Sequence, residues 1–159
     1  DMFRVDRLQI RDLSPQGLLL GRPKDAGAYV RVGDVLGIQR TDDQPGSWSA
    51  GVVRWLKSSA TKMTEIGIEL LGPQARPVGV RLESGGNGSA SGHTPALTLP
   101  AILPLHRPST LLVSRGLFQP GATYELHEEG QAPRRVRALQ LLERSGSFEQ
   151  IVFADALPV

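Results

Sequence analysis

The stretch RDLSPQG, residues 11–17, holds three residues whose types and spacing suit recognition of a nucleotide. A carboxylate such as that of Asp12 can accept hydrogen bonds from the N1–H and N2–H₂ groups of guanine. Ser14 adds a hydroxyl, and Gly17 permits a close approach of the backbone. The same residues also build turns, since Asp12 and Ser14 can bind backbone N–H groups and Gly17 can adopt a positive φ. The stretch is therefore either a plain turn or half of a ligand site.

Arg7 and Arg11 lie immediately upstream, in RLQIR, and the arginine side chain binds phosphate through two parallel hydrogen bonds. Two positions four apart on a regular strand share a face but are separated by about 13 Å, which is too far to clamp one phosphate. The spacing alone thus predicts no phosphate clamp. Both arginines nevertheless remain candidate ligand-binding residues.

The composition indicates a folded β protein of one ordinary domain or two small ones. Of the 159 residues, 40% are hydrophobic and 21% are charged, as in soluble globular proteins. The 18 glycines and 12 prolines favour many short strands over a few long helices. The absence of cysteine excludes disulfides and thiolate chemistry and fits a reducing compartment, so we expect a cytoplasmic protein. No apolar run reaches the roughly 18 residues of a membrane helix.

Alternation of apolar and polar residues predicts strands along most of the chain, as in VGVRLE and TYELHE. The fold class expected is all-β. The stretch ESGGNGSASGHTP, residues 83–95, is rich in glycine and serine, which predicts a linker or long loop. It divides the chain into a first unit at 1–82 and a second small β domain at 96–159. Residues 137–144, RALQLLER, fit a short helix and a strand equally well.

The sequence predicts no catalytic residue, no metal ligand and no cofactor. His93, His106 and His127 are far apart in the sequence and are expected to be isolated and exposed. The adjacent acids Asp42–Asp43 and Glu128–Glu129 lie in expected hairpin turns and would point to opposite faces of a strand, so they make poor acid–base partners. The glycine-rich stretch lacks the Gly-Lys-Ser/Thr ending of a phosphate-binding P-loop. We therefore expect no enzyme.

Three segments in order resemble PilZ domains. RLQIRDLSPQGLLL resembles their Asp/Asn-x-Ser-x-x-Gly segment, with Asp12, Ser14 and Gly17 in the motif positions. RVGDVLGI resembles the glycine-centred turn and strand that follow, and GVVRWL with TEIGIELLG resembles the paired strands that end these domains. The resemblance covers residues 3–82, about half of the chain. It implies a six-stranded antiparallel barrel, followed here by a second small antiparallel β-barrel or sheet domain.

Many PilZ domains bind the bacterial messenger cyclic di-GMP. The resemblance therefore implies a non-catalytic regulatory module that acts through protein contacts and through cyclic di-GMP. Asp12, Ser14 and Gly17 would contact guanine, with Arg7, Arg11 or residues before Asp1 near the phosphates. In binding members an Arg-x-x-x-Arg motif lies well upstream of the turn, whereas RLQIR runs directly into it. We expect the true arginine segment to be upstream of this chain or absent, and binding by this chain alone to be incomplete.

The alternative is a pair of small barrels that binds nucleic acid. Arginines make up 15 of the 18 basic residues, and exposed aromatic rings stack on bases. Trp48 and Phe118 follow turns and are the candidates for such stacking, whereas Trp55 is expected to pack inside the first barrel. A net charge of only +2 argues against this alternative, since binding to nucleic acid draws on phosphate neutralisation.

Overall fold

The computed structural model describes residues 7–14, 16–23, 30–58, 63–83 and 92–156. Within them the chain forms two antiparallel sheets, which confirms the all-β fold class. The first sheet has the strand order β1-β2-β5-β4-β3 and contains β1 (Gln9–Ser14), β2 (Gly17–Pro23), β3 (Val35–Ile38), β4 (Ser49–Ser58) and β5 (Met63–Gly72). The barrel implied by the resemblance has six strands, whereas the described residues supply five to this sheet.

The second sheet is a closed six-stranded barrel with the order β10-β11-β8-β7-β6-β9. Its strands are β6 (Arg76–Leu82), β7 (Thr94–Leu99), β8 (Thr110–Ser114), β9 (Thr123–His127), β10 (Arg134–Arg144) and β11 (Phe148–Asp155). A short 3₁₀ helix, Leu103–Leu105, lies between β7 and β8. Closure pairs every strand on both sides and leaves no exposed edge. No helix of the described residues is long and apolar enough to cross a membrane.

Strand β6 belongs to the closed barrel, although the sequence-based division at residue 82 placed it in the first unit. It pairs with β7, with Val78 opposite Ala96, and with β9, with Val80 opposite Leu126. The alternation in VGVRLE identifies a strand but carries no information about its partners, which are distant in sequence. The proposed linker falls largely on residues 84–91, outside the described residues, and residues 94 and 95 already belong to β7.

The ambiguous segment 137–144 lies within an eleven-residue strand, β10. Two irregularities interrupt its pairing with β11, one between Ala138 and Gln140 and one between Leu141 and Glu143. A bulge inserts an unpaired residue and reverses the facing of the residues that follow. The first bulge explains why Ala138 and Leu141, three positions apart, both face the barrel core, whereas Leu142 is the extra residue of the second bulge and is exposed.

Three apolar clusters hold the two sheets. One covers the inner face of the first sheet, and a second fills the barrel. The third lies between the sheets and takes Ala50 and Val52 from β4, Leu99 from β7, Leu112 from β8 and Phe148 from β11. Because these residues come from both units, the two sheets bury apolar surface against each other.

Candidate functional site

The β1–β2 hairpin positions the three residues singled out in RDLSPQG. Ser14 is paired with Gly17, and Leu13 with Leu18. The Ser14 hydroxyl donates to the Gly17 carbonyl oxygen at 3.4 Å, and the Leu13 N–H donates to Asp12 Oδ1 at 2.9 Å. The stretch is thus a hairpin turn with two polar side chains held close to the backbone.

Gly17 has a structural role that differs from the expected one. Its backbone is not among the described positions with positive φ. A Cβ at this position would lie 2.7 Å from the carbonyl oxygen of Ile68 in β5, well inside van der Waals contact. Glycine is therefore required here because β2 and β5 approach closely, with Gly17 opposite Glu69. The backbone freedom of glycine does not explain the residue.

An open groove of about 370 Å³ lies beside this hairpin, on the face of the first sheet opposite its core. Asp12, Ser14 and Gly17 all line it. Arg54 and Trp55 of β4 line the same groove, so a cation and a large aromatic ring face the hairpin residues across it. The structure thus brings the three motif residues to one concave surface, as a site requires.

The sequence predicts that Trp55 packs inside the first barrel, and this prediction is wrong. Trp55 lies on the outer face of the first sheet with 43% of its surface exposed. Its indole covers Gly67 of β5, where a Cβ would meet the ring at 2.1 Å. The cause is an irregularity in the β4–β5 pairing, where Val53 is opposite Ile68 but Trp55 is opposite Gly67. Arg54 is the extra residue, and this bulge turns Trp55 away from the core.

A second bulge acts in the same way on Asp12. In the β1–β2 pairing Ile10 is opposite Leu20, whereas Asp12 is opposite Leu19, so Arg11 is the extra residue. Leu20 is buried in the core of the first sheet, and its neighbour Leu19 faces the other side. The bulge therefore places Asp12 on the groove face. Sequence alternation gives no signal of such an insertion.

The two candidate arginines do not line the groove. Arg7 precedes β1 and is exposed. Arg11 lies at the bulge, and its side chain covers Gly21 of β2, where a Cβ would lie 2.8 Å from the Arg11 Cδ. The separation expected for a regular strand does not apply to this pair, because one residue lies outside the strand and the other is bulged.

Arg54 is already held by two carboxylates. Its Nη2 lies 3.0 Å from Glu69 Oε1 and 2.7 Å from Glu143 Oε1, the latter in β10 of the barrel. The hydrogen bond with Glu69 is the largest cause that raises the Arg54 pKa above its ordinary value. Burial opposes this rise, and the hydrogen bond with Glu143 adds to it. Arg54 thus connects the groove to the second domain. Neither bond could be read from the sequence, because the partners lie 15 and 89 residues away.

The remaining candidates of the sequence lie in the barrel domain or at its border. We expected His93 and His127 to be isolated, but their rings pack together, with the ring centroids 4.0 Å apart. His106 follows the 3₁₀ helix and is exposed. Phe118, a candidate for stacking on bases, packs partly buried against the barrel core. Trp48 is half-buried beside Gly37 of β3.

Two protein-family models match the chain, and the boundary between them at residues 77 and 78 lies close to the start of β6, the first strand of the closed barrel. Residues 1–77 match the model of the middle PilZ domain of the cyclic-di-GMP receptor FimW, and residues 78–156 match that of the FimW C-terminal beta-barrel domain. The cyclic-di-GMP receptor FimW of Pseudomonas aeruginosa is 36% identical over 153 residues, which are 96% of this chain but 24% of that protein. No solved structure matches the chain. The two domain matches together span residues 1–156, so the chain consists of a PilZ domain followed by a β-barrel domain, each of the kind found in FimW.

Proposed function

We propose that this chain is the ligand-responsive part of a bacterial, cytoplasmic cyclic di-GMP receptor, and that the groove beside the β1–β2 hairpin takes a guanine of the messenger. The observation that supports this proposal is the convergence of Asp12, Ser14 and Gly17 with Trp55 on one groove. The relative from Pseudomonas aeruginosa is itself described as a cyclic-di-GMP receptor.

Each groove residue has a separate role in this proposal. The Asp12 carboxylate accepts from the guanine N1–H and N2–H₂ groups, and the Ser14 hydroxyl adds a polar contact. Gly17 keeps the floor of the groove free of a side chain. The exposed face of Trp55 supplies an aromatic surface on which the base stacks.

The phosphates of the messenger are assigned to Arg7 and Arg11. A cyclic dinucleotide has two bases and two phosphates, so part of it extends beyond a groove of about 370 Å³. Both arginines are exposed; Arg7 precedes β1 and Arg11 lies within it, and from there their long side chains can reach a ligand at the rim. Residues before Asp1 can contribute further arginines.

We propose further that the output is a protein contact and not a reaction. The barrel exposes large apolar side chains, with Leu103 79% and Leu139 56% accessible to solvent. Exposed apolar side chains mark a surface that binds another protein where they form a contiguous patch. The hairpin groove offers two carboxylates, a guanidinium, a hydroxyl and an indole, and the Ser14 hydroxyl donates to the Gly17 carbonyl oxygen and not to a base.

Calorimetric titration with cyclic di-GMP tests the ligand proposal. Asp12→Ala should weaken binding about 10- to 100-fold, since hydrogen bonds to a charged group are lost. Trp55→Ala should weaken it about 5- to 150-fold through loss of stacking. Asp42→Ala, in the exposed loop after β3, is the matched control and should bind like the unaltered chain.

The same titration is repeated with a version extended upstream of Asp1. Tighter binding by the extended version would place additional phosphate contacts before residue 1. Absence of binding by both versions would refute the ligand proposal and leave the protein-contact role. Tight, salt-sensitive binding of DNA or RNA would instead favour the nucleic-acid alternative.

A further inference from the structure

Two histidines and a carboxylate meet on the outside of the barrel, away from the hairpin groove. Glu125 and His127 are two residues apart on β9 and therefore share a face, whereas Tyr124 and Leu126 between them point into the barrel core. His93 comes from a different part of the chain, just before β7. The barrel thus assembles a cluster that the sequence leaves more than 30 positions apart.

Strand β6 provides the surface on which the cluster is built. Gly79 of β6 is opposite His127 in one direction and opposite Pro95 in the other. A Cβ at residue 79 would lie 2.8 Å from the Cβ of His93. The missing side chain at Gly79 therefore leaves the space that His93 occupies beside His127.

The donor atoms of the three residues converge. His127 Nε2 lies 2.5 Å and His93 Nε2 lies 3.5 Å from Glu125 Oε1. One ligand atom from each of the three residues can be chosen so that all lie within 4.8 Å of one another. Tetrahedral zinc with bonds of about 2.0–2.1 Å holds its ligand atoms about 3.3 Å apart. The observed separations lie on both sides of that value, so small rotations of the side chains would complete the geometry.

We propose that His93, Glu125 and His127 form a Zn²⁺ site on the barrel domain, with a fourth position open to solvent. Two imidazole nitrogens and one carboxylate are ligands typical of zinc, whereas Mg²⁺ and Ca²⁺ prefer sites made of oxygen alone. The side chains of His93 and His127 are 31% and 41% exposed, so an ion and its water can reach the site from solvent.

Arg81 is a positioning residue in this proposal. Its Nη2 lies 2.9 Å from Glu125 Oε2, the oxygen that faces away from the histidines. This bond orients the carboxylate so that Oε1 is directed at both imidazoles, as hydrogen bonds to ligand side chains do in metal sites. The positively charged guanidinium also repels the ion, so Arg81 lowers the affinity for Zn²⁺ while it fixes the orientation of the Glu125 carboxylate.

The cluster also has an explanation without metal, in which protonated histidines pair with Glu125. The two explanations differ in their stoichiometry and in their response to single substitutions. An ion pair binds no metal, whereas a site with three ligands takes one Zn²⁺ per chain and loses it when a ligand is removed.

The test is titration of the metal-free chain with Zn²⁺ in competition with a chromogenic chelator. We expect one equivalent to bind. His93→Ala, Glu125→Gln and His127→Ala should each weaken binding by at least about 10- to 100-fold, because that loss is already typical when a residue that only hydrogen-bonds to a metal ligand is replaced. His106→Ala removes the third histidine, outside the cluster, and should leave binding unchanged. Melting curves without Zn²⁺ establish that each variant is folded.

Histidine ring signals in NMR provide a second readout. Zn²⁺ should shift the ring resonances of His93 and His127 and leave those of His106 in place. Failure to bind one equivalent of Zn²⁺ would overturn the proposal. So would binding that persists at full affinity in the three ligand variants, or that is lost in His106→Ala.

Discussion

At the scale of single residues, Glu149 shows how this barrel accommodates a charge. The residue has no exposed surface, and both oxygens of its carboxylate have hydrogen-bond partners. Oε1 accepts from the N–H groups of Gly116 at 3.0 Å and Phe118 at 2.9 Å, and Oε2 lies 2.5 Å from Arg144 Nε. Burial alone raises the Glu149 pKa, but the Phe118 N–H, Arg144 and the Gly116 N–H together lower it below its ordinary value of 4.5.

Glu149→Gln should lower the free energy of unfolding by about 2 kcal/mol, because the amide loses the charge that strengthens these bonds. Since the folded pKa is depressed, this stability is present above pH 4.5 and is lost as the pH falls through the folded pKa. Denaturant titrations between pH 3 and 7 should show a weaker loss in acid for the variant. Glu129→Gln, in an exposed turn, is the control; equal curves for both variants would contradict the prediction.

At the scale of elements, two bulges decide which side chains reach the groove. The extra residues Arg11 in β1 and Arg54 in β4 turn Asp12 and Trp55 to the same outer face. In a regular strand, residues two positions apart share a face. Asp12 would then lie on the same side as Ile10, and Trp55 on the same side as Val53, which is the side opposite to the groove. The groove therefore depends on one inserted residue in each of two strands.

Gly17→Ala should destabilise the first sheet, because the new Cβ meets the backbone of β5, which cannot rotate away as a side chain can. We expect a loss of about 1–3 kcal/mol in thermal or denaturant unfolding. Gly146→Ala is the matched control, since a Cβ there meets nothing within 4 Å and its φ is not positive. A Gly17→Ala chain as stable as the control would show that β2 and β5 can separate without cost.

The sequence predicts the elements well and their neighbours poorly. Alternation identified the strands, and the motif spacing singled out Asp12, Ser14 and Gly17, which line one groove, because both signals are local. The partners of β6, the exposure of Trp55 and the meeting of His93 with His127 depend on pairing between distant segments. A bulge adds to the difficulty, since a single inserted residue turns the later side chains of the strand to the face opposite to the one that alternation predicts.

At the scale of the whole molecule, the two sheets are joined by apolar and polar contacts. Phe148 of the barrel packs with Val52 and Ala50 of the first sheet. The Ser147 hydroxyl donates to the Gly33 carbonyl oxygen, and Arg54 binds Glu143 across the same boundary. Loss of the central aromatic ring should therefore affect both sheets.

Phe148→Ala should cost about 3–5 kcal/mol, the usual range for removal of a buried phenylalanine, and should lower the melting temperature of the whole chain. Leu142→Ala removes a leucine that is 48% exposed and should have little effect. Calorimetry of both variants provides the measurement. A Phe148→Ala chain that melts with the Leu142→Ala control would show that the contact between the sheets contributes little.

The shared apolar cluster between the sheets also bears on how such proteins are inherited. A gene that kept only one half would encode a domain whose surface at Val52, or at Phe148 and Leu112, is exposed to water. Such a surface invites aggregation, so selection would remove the half-gene or replace its apolar residues with polar ones. We therefore expect relatives to carry the two domains side by side, and any relative with a single domain to have polar residues at these positions.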